Sequence, residues 1–167
     1  MTTQTTTPKQ RAAVVRVMCL ALMMVVAAVA SLNVALPGIA RDTGASQTGL
    51  QWIVDAYAVA FAALLLPAGA LGDRFGRKPI LAAGIATFGA ASAVALFADT
   101  AGQLIVLRGV MGVAAAFIMP VTLSVITTVL PPEERGKAVG MWVGVAAGGA
   151  VLGLLASGLL LEWLSWQ

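Results

Sequence analysis

The chain has no histidine and a single cysteine, Cys19, in 167 residues. It has one tyrosine, and only 10% of its residues are charged. These scarcities remove whole classes of function. Without histidine, and without CxxC pairs, a metal site built on imidazole or thiolate pairs and a histidine-based acid–base centre have no ligands to draw on. A lone cysteine cannot form an internal disulfide, and Cys19 lies inside an apolar run, where a small hydrophobe is its expected role. There is no Walker or GxGxxG pattern and no pair of catalytic carboxylates, so nothing here would bind ATP or a dinucleotide. No catalytic residue, metal ligand or cofactor-binding residue is expected. The scarcity of charge is the most telling of these. Ordinary soluble domains carry about 25% charged residues, whereas here 60% of residues are apolar and mean hydropathy is +0.96. A soluble fold of this length has too little interior to hide that surface, so the bilayer is the expected solvent.

What is present is a series of long apolar runs. A spanning helix needs roughly 20 mostly apolar residues, because the hydrocarbon core is about 30 Å thick. Five segments meet that test: from about Ala13 to Pro37, Gln51 to Leu71, Ile80 to Ala98, Gln103 to Leu130 and Ala138 to Leu161. They are too long and too rich in Ala and Leu for strands, and they do not alternate. Pro37-Gly38 is expected to close helix 1, Pro79 to open helix 3, and Pro131-Pro132 to close helix 4. The fold class expected is therefore all-α, a polytopic membrane protein of five transmembrane helices. Residues 1–12 are expected as a disordered tail, and residues 13–167 as the helical body. The first run is too long for a signal peptide's apolar core, so helix 1 is expected to be retained.

Basic residues set the orientation. Lys9, Arg11 and Arg16 precede helix 1, Arg74, Arg77 and Lys78 lie between helices 2 and 3, and Arg135 and Lys137 lie between helices 4 and 5. All fall on one side, which is expected to be cytoplasmic and to hold the N-terminus, leaving the C-terminus outside. The same distribution explains the net charge of +3 without nucleic acid as a partner, because the charges sit in short loops rather than one patch.

Four places carry chemistry. The hairpin Gly69–Leu81, GALGDRFGRKPIL, interleaves glycines with charge, so it must turn tightly at a water interface, where Asp73 could cap backbone N–H groups or pair with Arg77. Arg108 lies inside helix 4. A lone Arg in the membrane costs about 3 kcal/mol or more, so it either finds a partner, faces water, or snorkels to the outer interface. Asp55 in helix 2 lies at a similar depth and could pair with Arg108, or act alone as a protonatable group. Its neighbours Trp52 and Tyr57 read as outer-interface aromatics. In helix 5, Gly140, Gly144 and Gly148 form one small-residue row, and Gly149, Gly153 and Ser157 an adjacent one, as in close helix packing.

The hairpin also resembles, residue for residue, the loop signature of the major facilitator superfamily of secondary transporters, carried here by Gly69, Gly72, Asp73, Arg74, Gly76, Arg77 and Lys78. The resemblance implies that Asp73 and Arg77 form a cytoplasmic latch that closes against the other half of a transporter. Helix 4 resembles the family's R-x-x-Q-G motif, associated with proton coupling; Arg108 and Gly112 match, and Met111 stands in place of Gln. Helix 5 resembles the antiporter signature of the drug:proton branch at Gly140, Gly149, Gly153 and Gly158, with Leu154 in place of Pro and Ser157 in place of Gly. The SLNVALP stretch, Ser31 to Pro37, resembles helix 1 of the fourteen-helix exporters, but Ala28 replaces an Asp and Ala30 a Thr. That departure leaves Asp55 as the membrane acid for coupling. WIVDAY, PPEERGKA and the terminal EWLSW complete the resemblance.

The family implied has twelve or fourteen helices in two six-helix bundles, with substrate bound between them. The expectation is thus the N-terminal portion of a proton-coupled small-molecule or multidrug exporter in the cell membrane. Its partners would be the lipid bilayer, protons, a small hydrophobic or cationic substrate, and the C-terminal helices or another chain. The alternative is a non-transporting remnant or a partner subunit of a membrane complex. Uptake of a polar solute is a third, less favoured by helix 5.

Overall fold

A computed structural model describes the backbone of residues 7–163 and the side chains as far as residue 160. The part of the expected tail in residues 1–6 and most of the EWLSW match lie outside the described residues. Five helices follow one another: α1 (Pro8–Thr43), α2 (Gln47–Phe75), α3 (Arg77–Ala95), α4 (Ala101–Val129) and α5 (Pro132–Trp163). All five are long and apolar enough to cross a membrane, and among the described residues there is no strand. The expected all-α, five-span architecture is what the chain adopts.

The helices run past their apolar runs because polar residues start and stop them. Thr7 and Gln10 form a capping box, so residues 8–12, expected as tail, are the first turns of α1. Ser46 caps α2 by accepting from the Gly49 N–H at 3.2 Å. Thr100 and Gln103 form a second capping box at the start of α4. Pro37 does not end α1, which continues to Thr43 and stops at Gly44 in the left-handed conformation (φ 62°). A proline removes one backbone donor, and membrane helices tolerate that loss when neighbours re-satisfy the freed groups. Pro67 and Pro120 are accommodated likewise in α2 and α4. Pro132 opens α5 rather than closing α4, as suits a residue whose missing N–H is an orphan in the first turn anyway. Arg135 and Lys137 therefore lie on α5, and the Arg135 Nε donates to the Leu130 carbonyl at 3.1 Å, which helps cap α4.

α4 is the central element and packs against α1, α2, α3 and α5, while α1 and α5 form a second close pair. Ala114, Ala115 and Ala116, each no more than 1% exposed, let neighbours approach α4. The main core gathers Val25, Phe88, Ile118 and Ile126, and a smaller cluster of Ile39, Ile53, Ala98 and Leu104 closes the end opposite the termini of α2 and α4 that carry Phe75 and Val129. Val59, Leu66, Phe97, Val106 and Leu159 point outward, as lipid-facing side chains do.

Candidate functional site

At the hairpin, the turn shrinks to one residue. Gly76 ends α2 and starts α3 with φ 94° and ψ 140°, a conformation that other residues rarely adopt. Arg74 therefore sits in the last turn of α2, with its guanidinium 5.4 Å from the Phe75 ring centroid, and Arg77 and Lys78 in the first turn of α3. The Arg77 Nη2 is 3.3 Å from Asp73 Oδ1, so of the two roles open to Asp73 the structure forms the ion pair. Arg77 also reaches across to α4: its Nη1 donates to the Ser124 carbonyl at 3.0 Å and to the Thr128 hydroxyl. The hairpin is thus tied to the end of α4 within the same bundle. Gly72 faces the Val121 side chain, and Gly69 faces open space.

Arg108 does not snorkel to the outer interface. It is 5% exposed, its Nε donates to the Ile53 carbonyl at 3.3 Å, and its guanidinium carbon lies 4.5 Å from the centroid of the Tyr57 ring. Tyr57, expected as an interfacial aromatic, is buried at 8% exposure, whereas Trp52 is exposed. Gly112, one turn further along α4, brings the two backbones together: a Cβ there would lie 2.3 Å from the Tyr57 carbonyl oxygen. Arg108 and Gly112 therefore both bear on the same residue of α2.

The expected Asp55–Arg108 pair does not form. The two residues do share a level along their helices, Asp55 eight positions into α2 and Arg108 seven into α4. The azimuth decides against it. Ile53 and Tyr57, four apart, both face α4. Asp55 is two positions from each, about 200° around the helix, and so points away from α4. It lines instead a groove of about 430 Å³ between the end of α1 and the start of α2, with Leu36, Pro37, Gln47 and Gln51. Asp55 there is half-buried.

In α5 the two glycine rows have different fates. Gly153 packs against α1 so tightly that a Cβ would lie 2.5 Å from the Ala27 carbonyl oxygen, and Gly149 meets Met23. Ser31 on α1 donates to the Gly153 carbonyl at 3.2 Å, and Ser157 donates to the Ser31 carbonyl at 3.2 Å. This row is therefore covered by α1, while Gly140, Gly144, Gly148 and Gly158 have nothing within 4 Å of a built Cβ. The Ser31–Ser157 link went unread in the sequence, although Ala27 and Ser31, four apart on α1, are the matching small pair. The Trp142 indole N–H, which donates to the buried Thr122 hydroxyl at 3.2 Å, carries no comparable signal.

The family model described as Major Facilitator Superfamily matches residues 18–167. Among curated relatives, the chain is 47% identical over 136 residues to the puromycin resistance protein pur8 of Streptomyces alboniger, covering 81% of this chain and 27% of that protein. It is 43% identical over 136 residues to the methyl viologen resistance protein SmvA of Salmonella typhimurium, covering 81% and 28%. It is 38% identical over 163 residues to the multidrug efflux pump LfrA of Mycolicibacterium smegmatis, covering 97% and 32%. The chain thus spans between a quarter and a third of the length of these relatives.

Proposed function

Since the chain belongs to the major facilitator superfamily, a family of membrane transporters, we propose that its five helices serve proton-coupled export of a small hydrophobic or cationic molecule across the cell membrane. The observation that carries this reading is Asp55, a half-buried carboxylate on a spanning helix that opens on a groove with Gln47 and Gln51 and makes no ion pair with Arg108. A carboxylate in that setting can take up a proton from one side of the membrane and lose it to the other as the groove changes exposure. Arg108 lies at the same level on the opposite side of α2, held by Ile53 and Tyr57, so the carboxylate is not tied up in an ion pair. The relatives' names, resistance to puromycin, resistance to methyl viologen and multidrug efflux, support export as the direction.

In this reading Gly69, Gly72, Asp73, Arg74, Gly76, Arg77 and Lys78 form the cytoplasmic latch, with the Asp73–Arg77 pair as its charged element. Gly140, Gly149, Gly153 and Gly158 mark the antiporter helix. The basic residues at the start of α1, at the hairpin and at the start of α5 support a cytoplasmic N-terminus. Alternating access needs two bundles rocking about a central site, so the remaining helices, or another chain, are partners in transport. The test is proton-gradient-driven efflux of a cationic dye from liposomes holding a complete transporter that carries this segment. Asp55→Asn is expected to abolish uphill efflux while leaving insertion and downhill dye exchange in place. Unaltered uphill efflux by that variant would refute the role of Asp55. The 167-residue chain alone is expected to insert but to drive no uphill efflux.

A further inference from the structure

We propose that Tyr57 is the positioning residue for Arg108, holding its guanidinium by the face of the ring rather than by a carboxylate. A guanidinium as buried as this one, at 5% exposure, needs compensation on its N–H edge and on its faces. The edge is met by the Ile53 carbonyl, 3.3 Å from Nε, and one face by the Tyr57 ring at 4.5 Å. Ring and cation in a desolvated setting attract through the ring quadrupole. The ring is itself braced, nearly parallel to Phe61 with centroids 6.2 Å apart and 6° between planes. Its backbone is fixed by Gly112, where α4 lies against the Tyr57 carbonyl. One residue of α2 therefore receives both the side chain of Arg108 and the backbone of Gly112, so the register of α4 on α2 and the aim of the guanidinium are set at the same point.

The arrangement has a functional consequence, which rests on the coupling role given above to Asp55. A guanidinium locked in an ion pair with Asp55 would hold that carboxylate in its charged form. Held by a ring and a carbonyl on the far side of α2 from Asp55, the guanidinium leaves the carboxylate able to change its proton. What the ring must supply is its π face, not its hydroxyl.

The experiment uses the fact that Tyr57 is the sole tyrosine. In the detergent-solubilised chain, NMR contacts from the tyrosine ring to an arginine Nε–H are unambiguous. They are expected from Tyr57 to Arg108, with that N–H shifted upfield by the ring current. The shift is expected to persist in Tyr57→Phe and to vanish in Tyr57→Leu. Replacing residue 57 by phenylalanines bearing one, two or three fluorines weakens the quadrupole with little change of shape. This series keeps the test sound if Tyr57→Leu fails to fold. In a complete transporter carrying the segment, kcat for proton-driven efflux is expected to fall in graded steps along the series. The loss should reach about thirtyfold in Tyr57→Leu, with KM held within about twofold, the scale of a lost desolvated cation–π contact. An Arg108 N–H shift that ignores Tyr57→Leu, or one indifferent to fluorination, overturns the proposal. A shift that responds while kcat stays constant upholds the positioning and refutes the coupling role of Arg108.

Discussion

Gly112→Ala tests the close seam between α2 and α4. A Cβ at residue 112 would stand 2.3 Å from the Tyr57 carbonyl oxygen and 3.1 Å from the Ala60 Cβ. The first contact is to backbone, so no side-chain rotation relieves it. To reach the 3.0–3.4 Å that tight contacts tolerate, α2 must retreat by about 0.7–1.1 Å along a packed interface. Inserting a methylene into a packed core costs about 1–3 kcal/mol. The retreat also stretches the Arg108 bond to Ile53, already 3.3 Å, and its contact with the ring. Losing a hydrogen bond from a charged group costs about 1.5–3 kcal/mol, of which a partial shift forfeits part. Against this, replacing glycine by alanine inside a helix gains about 1 kcal/mol. The net expectation is a loss of about 2 kcal/mol. Gly109 on the same helix supplies the control: nothing lies within 4 Å of a Cβ there, so Gly109→Ala should be neutral or stabilising by up to about 1 kcal/mol. Equilibrium unfolding of the two variants in mixed detergent micelles, followed by circular dichroism, measures the difference. Equal stability of Gly112→Ala and Gly109→Ala would show that α2 and α4 do not meet backbone to backbone at Gly112.

The α1–α5 seam should behave the same way: Gly153→Ala is expected to cost about 1–2 kcal/mol and Gly148→Ala nothing, because only Gly153 presses on the Ala27 backbone. A double-mutant cycle on Asp55 and Arg108, scored by unfolding free energy, should be additive within about 0.5 kcal/mol, since the two side chains point to opposite sides of α2; strong coupling would restore the ion pair. Arg77→Gln removes the ion pair to Asp73 and the bonds to Ser124 and Thr128, and should destabilise by about 1–2 kcal/mol in the same unfolding assay, more than Asp73→Asn, which touches only an exposed pair. Reporter fusions placed at Asp99 and at Gly136 should report opposite sides of the membrane, with Gly136 on the cytoplasmic side; the reverse pattern would overturn the orientation read from the basic residues.

The sequence alone determined that this chain is helical, that it lives in lipid, and that it has five spans. Those properties depend on composition and on run length, which tertiary contacts do not alter: a stretch of about 20 apolar residues must cross as a helix because its backbone has no other partners in hydrocarbon. It also placed the hairpin, because Gly76 and its charged neighbours can sit only at a water-facing turn, and it put Arg108 and Asp55 at a shared depth, because rise per residue is fixed. Helix ends were legible only in part. Pro37 reads as a stop, yet α1 runs on to Gly44, since one lost donor is a small cost beside the turn of hydrogen bonds gained. Azimuth was beyond the sequence. α4 is apolar all round, so no stripe says which neighbour each side takes. Only the assembled bundle decided that Ile53 and Tyr57, not Asp55, face Arg108. It decided equally that Gly149 and Gly153 rather than Gly140 and Gly144 meet α1. Two small-residue rows on one helix are alike in spacing, and what separates them is whether another backbone lies opposite.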